Sequence, residues 1–263
     1  MLQRTERPAV PRKAIVLMAG DHGVTAEGVS PYPSEVTVQM VANFSAGGAA
    51  INQLAKHAGA QVVVVDVGVA NPLVSDAGVV SARVADGTAN MAKGPAMTRE
   101  QAAAAVRVGI EQVARLADEG LDLVSTGDMG IGNTTASAAL TSVLTVVDPS
   151  DVVGPGTGLD CHGVRMKAEV IRRAVALNTP DPGDAIDVLA KVGGLEIAGL
   201  AGVVIGAAAR GIPVVSDGFI SGAATLVALR LAPSAKPWVF ASHRSAEPGH
   251  RIVLEALGVR PVL

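Results

Sequence analysis

The sequence predicts an α/β fold, a mostly parallel sheet with helices packed over it. Three observations carry that expectation. Short runs rich in β-branched residues alternate with longer alanine-rich stretches along the 263 residues. The apolar runs are continuous rather than alternating, which is how strands read when both faces are buried. Four of the runs are followed by polar, glycine-bearing segments, and open α/β sheets bind their ligands outside the carboxyl ends of the strands.

Taken in order, strands are expected at 14–19 (AIVLMA), 61–67 (QVVVVDV), 121–126 (LDLVST), 212–217 (IPVVSD) and 238–242 (WVFAS). Helices are expected at 34–58, 98–117, 133–146, 160–177, 193–209 and 222–231. Thr98 opens one of them with Gln101 three residues on, a capping-box pattern. The segment LEALGVRPVL finishes a further helix and leaves it at Pro261. This alternation implies an open sheet with right-handed crossovers, and the many Ala and Gly residues would let helices sit close to it. No composition shift marks a second domain. Residues 1–13 read as an N-terminal tail and 14–263 as one α/β domain.

Composition narrows the function. A content of 49% hydrophobic and 17% charged residues fits a globular protein and excludes a disordered one. With one Trp, one Tyr and three Phe, the interior must rest on small aliphatic side chains. The net charge of −3, without a basic cluster, argues against a nucleic-acid partner. The single cysteine, Cys161, cannot form an intrachain disulfide, and beside His162 on a helix it would diverge from the imidazole. The longest uncharged apolar run, 197–209, is too short to span a bilayer. MLQRTERPAVPRK lacks the apolar segment of a signal peptide. A cytoplasmic protein without a membrane partner is expected.

The chemistry concentrates in the segments after the strands: GDHGVTAEGVSPYPSE, GDMGIGNTT, DGFISG and SHRSAEPGH. In GDMGIGNTT, Gly130 and Gly132 can take positive φ and let an anion approach the backbone, while Asn133 or Thr134 can cap the next helix. A helix start offers N–H donors and the positive end of a dipole. The alternatives are a phosphate-binding loop and a purely structural turn. GPGTGLD (154–160) is a second glycine loop before a helix. Lys167, two turns into that helix, can lean back toward a bound phosphate or simply be solvated. Asp21, His22, His243 and His250 invite a metal reading, but no HExxH or paired histidine spacing supports one. Ser242, His243 and Asp217 could assemble a triad, yet no G-x-S-x-G elbow is present.

Five blocks are specific enough to carry a resemblance: AGDHGVTAEGVSPYPSEVTVQMVANFSAGGAAIN, GDMGIGNTTASAAL, GPGTGLD, GGLEIAGLAGVVIGAAARGIPVVSDGFISGAA and HRSAEPGH. In this order they resemble the nicotinate-nucleotide–dimethylbenzimidazole phosphoribosyltransferases of cobalamin nucleotide-loop assembly, from about Ala14 to the last residue. The resemblance implies a doubly wound α/β domain, a small helical domain built from both chain ends, and a homodimer. It implies transfer of phosphoribose from nicotinate mononucleotide to 5,6-dimethylbenzimidazole, giving α-ribazole 5′-phosphate and nicotinate, with no metal or organic cofactor.

By the same resemblance, Gly130, Gly156, Gly158, Lys167 and Ser245 would clamp the phosphate and ribose, with Asp128 and Gly132 in the same loop. Asp217 would sit beside the nucleotide, and Ser30, Tyr32 and Gln39 would line the benzimidazole pocket. Asp128 stands where many relatives carry Glu. The family's general base is a glutamate in an RLGEG motif beyond the position of Leu263; Glu255 does not match it, and Asp128 is at most an auxiliary. The resemblance therefore leaves most of the small helical domain outside this chain. It implies either weakened transfer or a non-catalytic homologue that binds nicotinate mononucleotide.

Overall fold

A computed structural model describes residues 6–7, 9–71, 73 and 78–263. Six strands form one sheet: β1 (Lys13–Gly20), β2 (Ala60–Gly68), β3 (Val79–Ser81), β4 (Leu123–Met129), β5 (Val214–Ser216) and β6 (Val239–Ala241). Every pairing is parallel, in the order β3-β2-β1-β4-β5-β6. The chain winds outward in one direction from β1 to β3, then returns and winds the other way from β4 to β6. The winding reverses between β1 and β4, and a crevice opens there at the carboxyl ends of the strands. Arg12 joins the sheet's margin, its N–H donating to the Asp122 carboxylate at 2.9 Å.

The continuous apolar runs have the cause expected of them. Val16 and Met18 face one hydrophobic core, while Leu17 and Ala19 face a second on the opposite side of the sheet. The larger core lies beneath α3 (Arg99–Asp118) and α8 (Leu195–Ala209). The smaller is closed by Val41 and Phe44 of α1 (Glu35–Ser45) and by the approach to α2 (Ala50–Ala58). Alternate residues of β1 are therefore apolar for two different partners.

Three differences from the sequence reading have local causes. The helix expected at 34–58 is two, because Gly47 takes φ +76° and a Cβ at Gly48 would lie 2.3 Å from the Asn43 side-chain oxygen. The strand β3 has only three residues, and α7 (Ala185–Val192) was not anticipated. Asp184 caps α7 by accepting from the N–H groups of Ile186 and Asp187, a signal the sequence did carry. The tightest glycines join helix to helix rather than helix to sheet: a Cβ at Gly109 would lie 1.9 Å from the Gly199 carbonyl. The remaining helices are α4 (Asn133–Thr145), α5 (Pro149–Val152), α6 (Cys161–Asn178), α9 (Phe219–Leu231) and α10 (Pro248–Leu257). No helix among the described residues is long and apolar enough to cross a membrane.

Candidate functional site

The loop between β4 and α4 occupies the crevice where the winding reverses. Of its two central glycines only Gly132 is left-handed, with φ +94°. Gly130 is not, so the expectation of positive φ fails there. Its lack of a side chain serves close approach instead, since a Cβ would lie 2.2 Å from the Gly20 carbonyl oxygen. Nor do Asn133 and Thr134 cap α4; Gly132 is the N-cap and supplies no side chain. Both side chains are committed elsewhere. Asn133 donates to the Asp128 carboxylate at 2.9 Å, and the Thr134 hydroxyl accepts from the Lys167 ammonium at 2.7 Å.

Lys167 sits on α6, yet only 1% of it is exposed. It reaches across to the first turn of α4 rather than back to its own helix start, so the two glycine loops of the sequence meet at its Nζ. Burial pulls the ammonium down to about 8, against a smaller upward pull from the Glu247 carboxylate. Gly156, with φ +55°, approaches closely: a Cβ there would lie 3.3 Å from Nζ. Gly158, with φ +114°, is exposed at the tip of the same loop.

A third segment closes on this point. Glu247, at the N-cap of α10, accepts from the Gly156 N–H at 3.0 Å. The Ser245 N–H donates to His250 Nδ1 at 3.0 Å, which requires an imidazole with a free lone pair on that nitrogen. Burial, then neighbouring His243, holds His250 below the usual histidine range, in keeping with that role. The Ser245 hydroxyl is buried and has no hydrogen-bond partner among the described residues.

Asp217, just past β5, is exposed, and its carboxylate lies 3.8 Å from His243 Nδ1. Ser242 Oγ lies 2.8 Å from that same nitrogen. A relay needs the two on opposite ring nitrogens, so these residues do not form a triad. Ser30 Oγ meets Thr157 Oγ1 at 3.3 Å and so ties its loop to the 154–160 loop. Tyr32 is half exposed, its N–H donating to Ser30 Oγ at 3.2 Å. Gln39 is exposed on α1, two residues beyond Thr37, whose hydroxyl accepts from the Ile131 N–H. The structure thus draws Asp128, Gly130, Gly132, Gly156, Lys167 and Ser245 around one edge of the sheet, while Tyr32 and Gln39 stand at its margin.

Sequence reasoning singled out Asp21, His22 and Asp128 but missed Glu196, which joins them in a charged layer beneath this edge. His22, just past β1, meets Glu196 in the first turn of α8, Nε2 to Oε1 at 2.5 Å, with both side chains at most 1% exposed. Burial is the largest effect on His22 and lowers it, but the charge and hydrogen bond of Glu196, with Asp21 and Asp128 added, together raise the imidazole. Half-buried Asp128 is pushed up to about 7, first by desolvation, then by Glu196 and Asp217, with Asn133 and His22 opposing. Desolvation also raises Asp21, whose Oδ2 accepts from the Ala70 N–H. The available signal was GGLE, two glycines before an acid at a helix start. Among the described residues, no group of three or more His, Cys, Asp or Glu side chains is placed to hold a metal ion.

Comparison with known proteins places this arrangement in a family. A family model described as "Phosphoribosyltransferase" matches residues 1–263. The nicotinate-nucleotide–dimethylbenzimidazole phosphoribosyltransferase of Desulforamulus reducens is 54% identical over 263 residues, covering 100% of this chain and 75% of the relative. That of Chloroflexus aggregans is 53% identical over 258 residues, 98% of this chain and 73% of the relative. The crystal structure of CobT from Thermus thermophilus superposes with a TM-score of 0.96 at 49% identity, covering 100% of this chain and 78% of that one. The fold, the loops at its switch point and these likenesses agree: the chain belongs to the nicotinate-nucleotide–dimethylbenzimidazole phosphoribosyltransferase family.

Proposed function

We propose that the chain transfers phosphoribose from nicotinate mononucleotide to 5,6-dimethylbenzimidazole. The observation that carries this reading is the buried Lys167 ammonium between two glycine loops, 2.7 Å from Thr134 Oγ1, at the carboxyl edge of β4. A desolvated cation at the start of a helix suits a phosphate dianion. Gly156 keeps a side chain away from Nζ, Gly158 leaves the loop tip open, and Gly130 and Gly132 let the β4–α4 loop pack tightly beside them. The buried Ser245 hydroxyl, without a partner among the described residues, can serve a phosphate or ribose oxygen. Asp217 borders the ribose, and Ser30, Tyr32 and Gln39 border the incoming base.

In the reaction one benzimidazole nitrogen attacks the anomeric carbon of the ribose. The bond from that carbon to the pyridinium nitrogen breaks, and nicotinate leaves with the electron pair. The proton on the second benzimidazole nitrogen passes to a base. Clamping the phosphate fixes the anomeric carbon for attack, and fixed donors favour the oxocarbenium-like state over the free nucleotide. Asp128, with a carboxyl that exchanges its proton near neutrality, is the auxiliary group for that transfer in this chain. By family resemblance the enzyme acts in the cytoplasm as a homodimer, which light scattering checks.

Incubation of the purified chain with both substrates should release nicotinate only when the benzimidazole is present, followed by chromatography. Nicotinate mononucleotide alone should raise the melting temperature, since a ligand at about a hundred times its Kd adds roughly 2.7 kcal/mol to native-state stability. Stabilisation without release would reduce the function to nucleotide binding. The absence of both effects would overturn the reading.

A further inference from the structure

Beneath the proposed site lies a buried pair that phosphate binding does not use. His22 and Glu196 come from positions 174 residues apart and meet at 2.5 Å. The space around them is kept free of side chains by three glycines. A Cβ at Gly194 would lie 2.4 Å from His22 Cε1 and 2.8 Å from Glu196 Oε2. One at Gly20 would lie 3.2 Å from Glu196 Oε2. One at Gly130 would lie 3.3 Å from His22 Nε2 and 3.4 Å from Glu196 Oε1. Gly130 is two residues beyond Asp128, so the pair bears on the loop that carries that carboxyl.

Stability alone is a poor reason for such a pair. Desolvating two charges costs more than an apolar pair of the same shape, and replacing buried ion pairs by apolar residues is often neutral or stabilising. This pair is also incompletely satisfied. Glu196 Oε2 and His22 Nδ1 are buried and make no hydrogen bond among the described residues. Networks whose role is structural tend to satisfy every member.

We propose that His22 and Glu196 are a positioning pair for the transfer, holding the loop that carries Asp128 through their close approach to Gly130. The inference rests on the reading of Asp128 as the auxiliary proton-transfer group. The charged groups facing Asp128 are Glu196 from α8, His22 from the end of β1 and Asp217 from the end of β5; Asn133 from α4 faces it with a neutral amide. His22 is faced by Glu196, Asp21 and Asp128. The two members of the pair therefore act on Asp128 with opposite sign. Removing the Glu196 charge relieves a repulsion and frees the proton. Removing the His22 charge leaves Glu196 uncompensated and tightens its hold.

The test is a carboxyl titration by NMR on the full chain labelled with 13Cγ-aspartate, with the Asp128 signal identified by its loss in Asp128→Asn. Glu196→Gln should lower the proton affinity of Asp128, and His22→Gln should raise it by a smaller factor. Unchanged midpoints, or shifts of one sign in both variants, would overturn the proposal. If either variant fails to fold, the wild-type His22 15N shifts decide: an imidazolium at pH 7 supports the pair, and a neutral ring from pH 5 to 8 overturns it. Where nicotinate release is measurable, the acid limb of its pH profile should move with the Asp128 midpoint. Absence of release in every variant would sink the catalytic reading while the titrations still judge the pair.

Discussion

At the scale of single residues, Lys167 shows how burial turns an ordinary side chain into a ligand with a pH limit. Its ammonium is desolvated, and the pull of Glu247 does not restore its usual basicity, so it titrates at about 8. A phosphate dianion binds the protonated form and would raise its pKa again. Affinity for nicotinate mononucleotide should accordingly be flat below pH 8 and fall above it, by up to about tenfold per pH unit. Lys167→Met should weaken binding at least about tenfold, or about 1.4 kcal/mol, and abolish that decline. Calorimetric titrations between pH 7 and 9.5 would measure both. A Lys167→Met variant that binds as tightly as wild type would remove Lys167 from the phosphate site.

At the scale of elements, helix ends and helix contacts do different work. Thr98 and Gln101 complete a capping box: the Gln101 N–H donates to Thr98 Oγ1 at 3.1 Å, and the Thr98 N–H to Gln101 Oε1 at 2.9 Å. Thr98 is exposed at the N-cap of α3, outside the proposed phosphate site. Thr98→Ala should therefore cost about 1 kcal/mol of stability in urea and leave nucleotide affinity unchanged. A change in affinity would mean that α3 transmits strain to the crevice. It has a route for doing so, because α3 meets α8 through Gly109 and Gly202, where a Cβ on either would lie 1.9 Å from a carbonyl of the other helix. The first turn of α8 carries Glu196, so the seating of one helix fixes the depth of the buried pair.

At the scale of the whole molecule, the charged layer at the switch point makes stability depend on pH in a stated direction. Asp128 has its carboxyl raised from 3.8 to about 7. Between those values the native state holds a proton that the unfolded chain has lost, so stability falls as pH rises through that window. His22 is raised above its usual value, so the stability it contributes below pH 6.5 is lost as pH rises through its folded value. The two effects run the same way. Asp128→Asn removes the first, and its stability should lose less than wild type between pH 4.5 and 7 in urea unfolding. Parallel curves for the two proteins would contradict the raised carboxyl of half-buried Asp128.

Much of this architecture was readable from the chain. Continuous apolar runs such as AIVLMA marked strands covered on both faces, because only a doubly covered strand can do without a polar face. Thr98 and the glycine loops marked helix ends, since capping is a local matter of side-chain reach. The residues around the proposed phosphate site were legible too, from their place after strands and from motif order. Two glycines at 47–48 and the three-residue β3 were harder, because a broken helix and a short edge strand leave little periodicity. What the sequence could not express was which distant side chains meet. Lys167 crosses to Thr134, His22 finds Glu196, and Gly130 is small because Gly20 passes beside it. The last two pairings follow from the reversal of winding between β1 and β4, which brings segments more than a hundred residues apart into one crevice. Local chemistry determined the elements and the loops; only the packed sheet decided which charges would share a dry space.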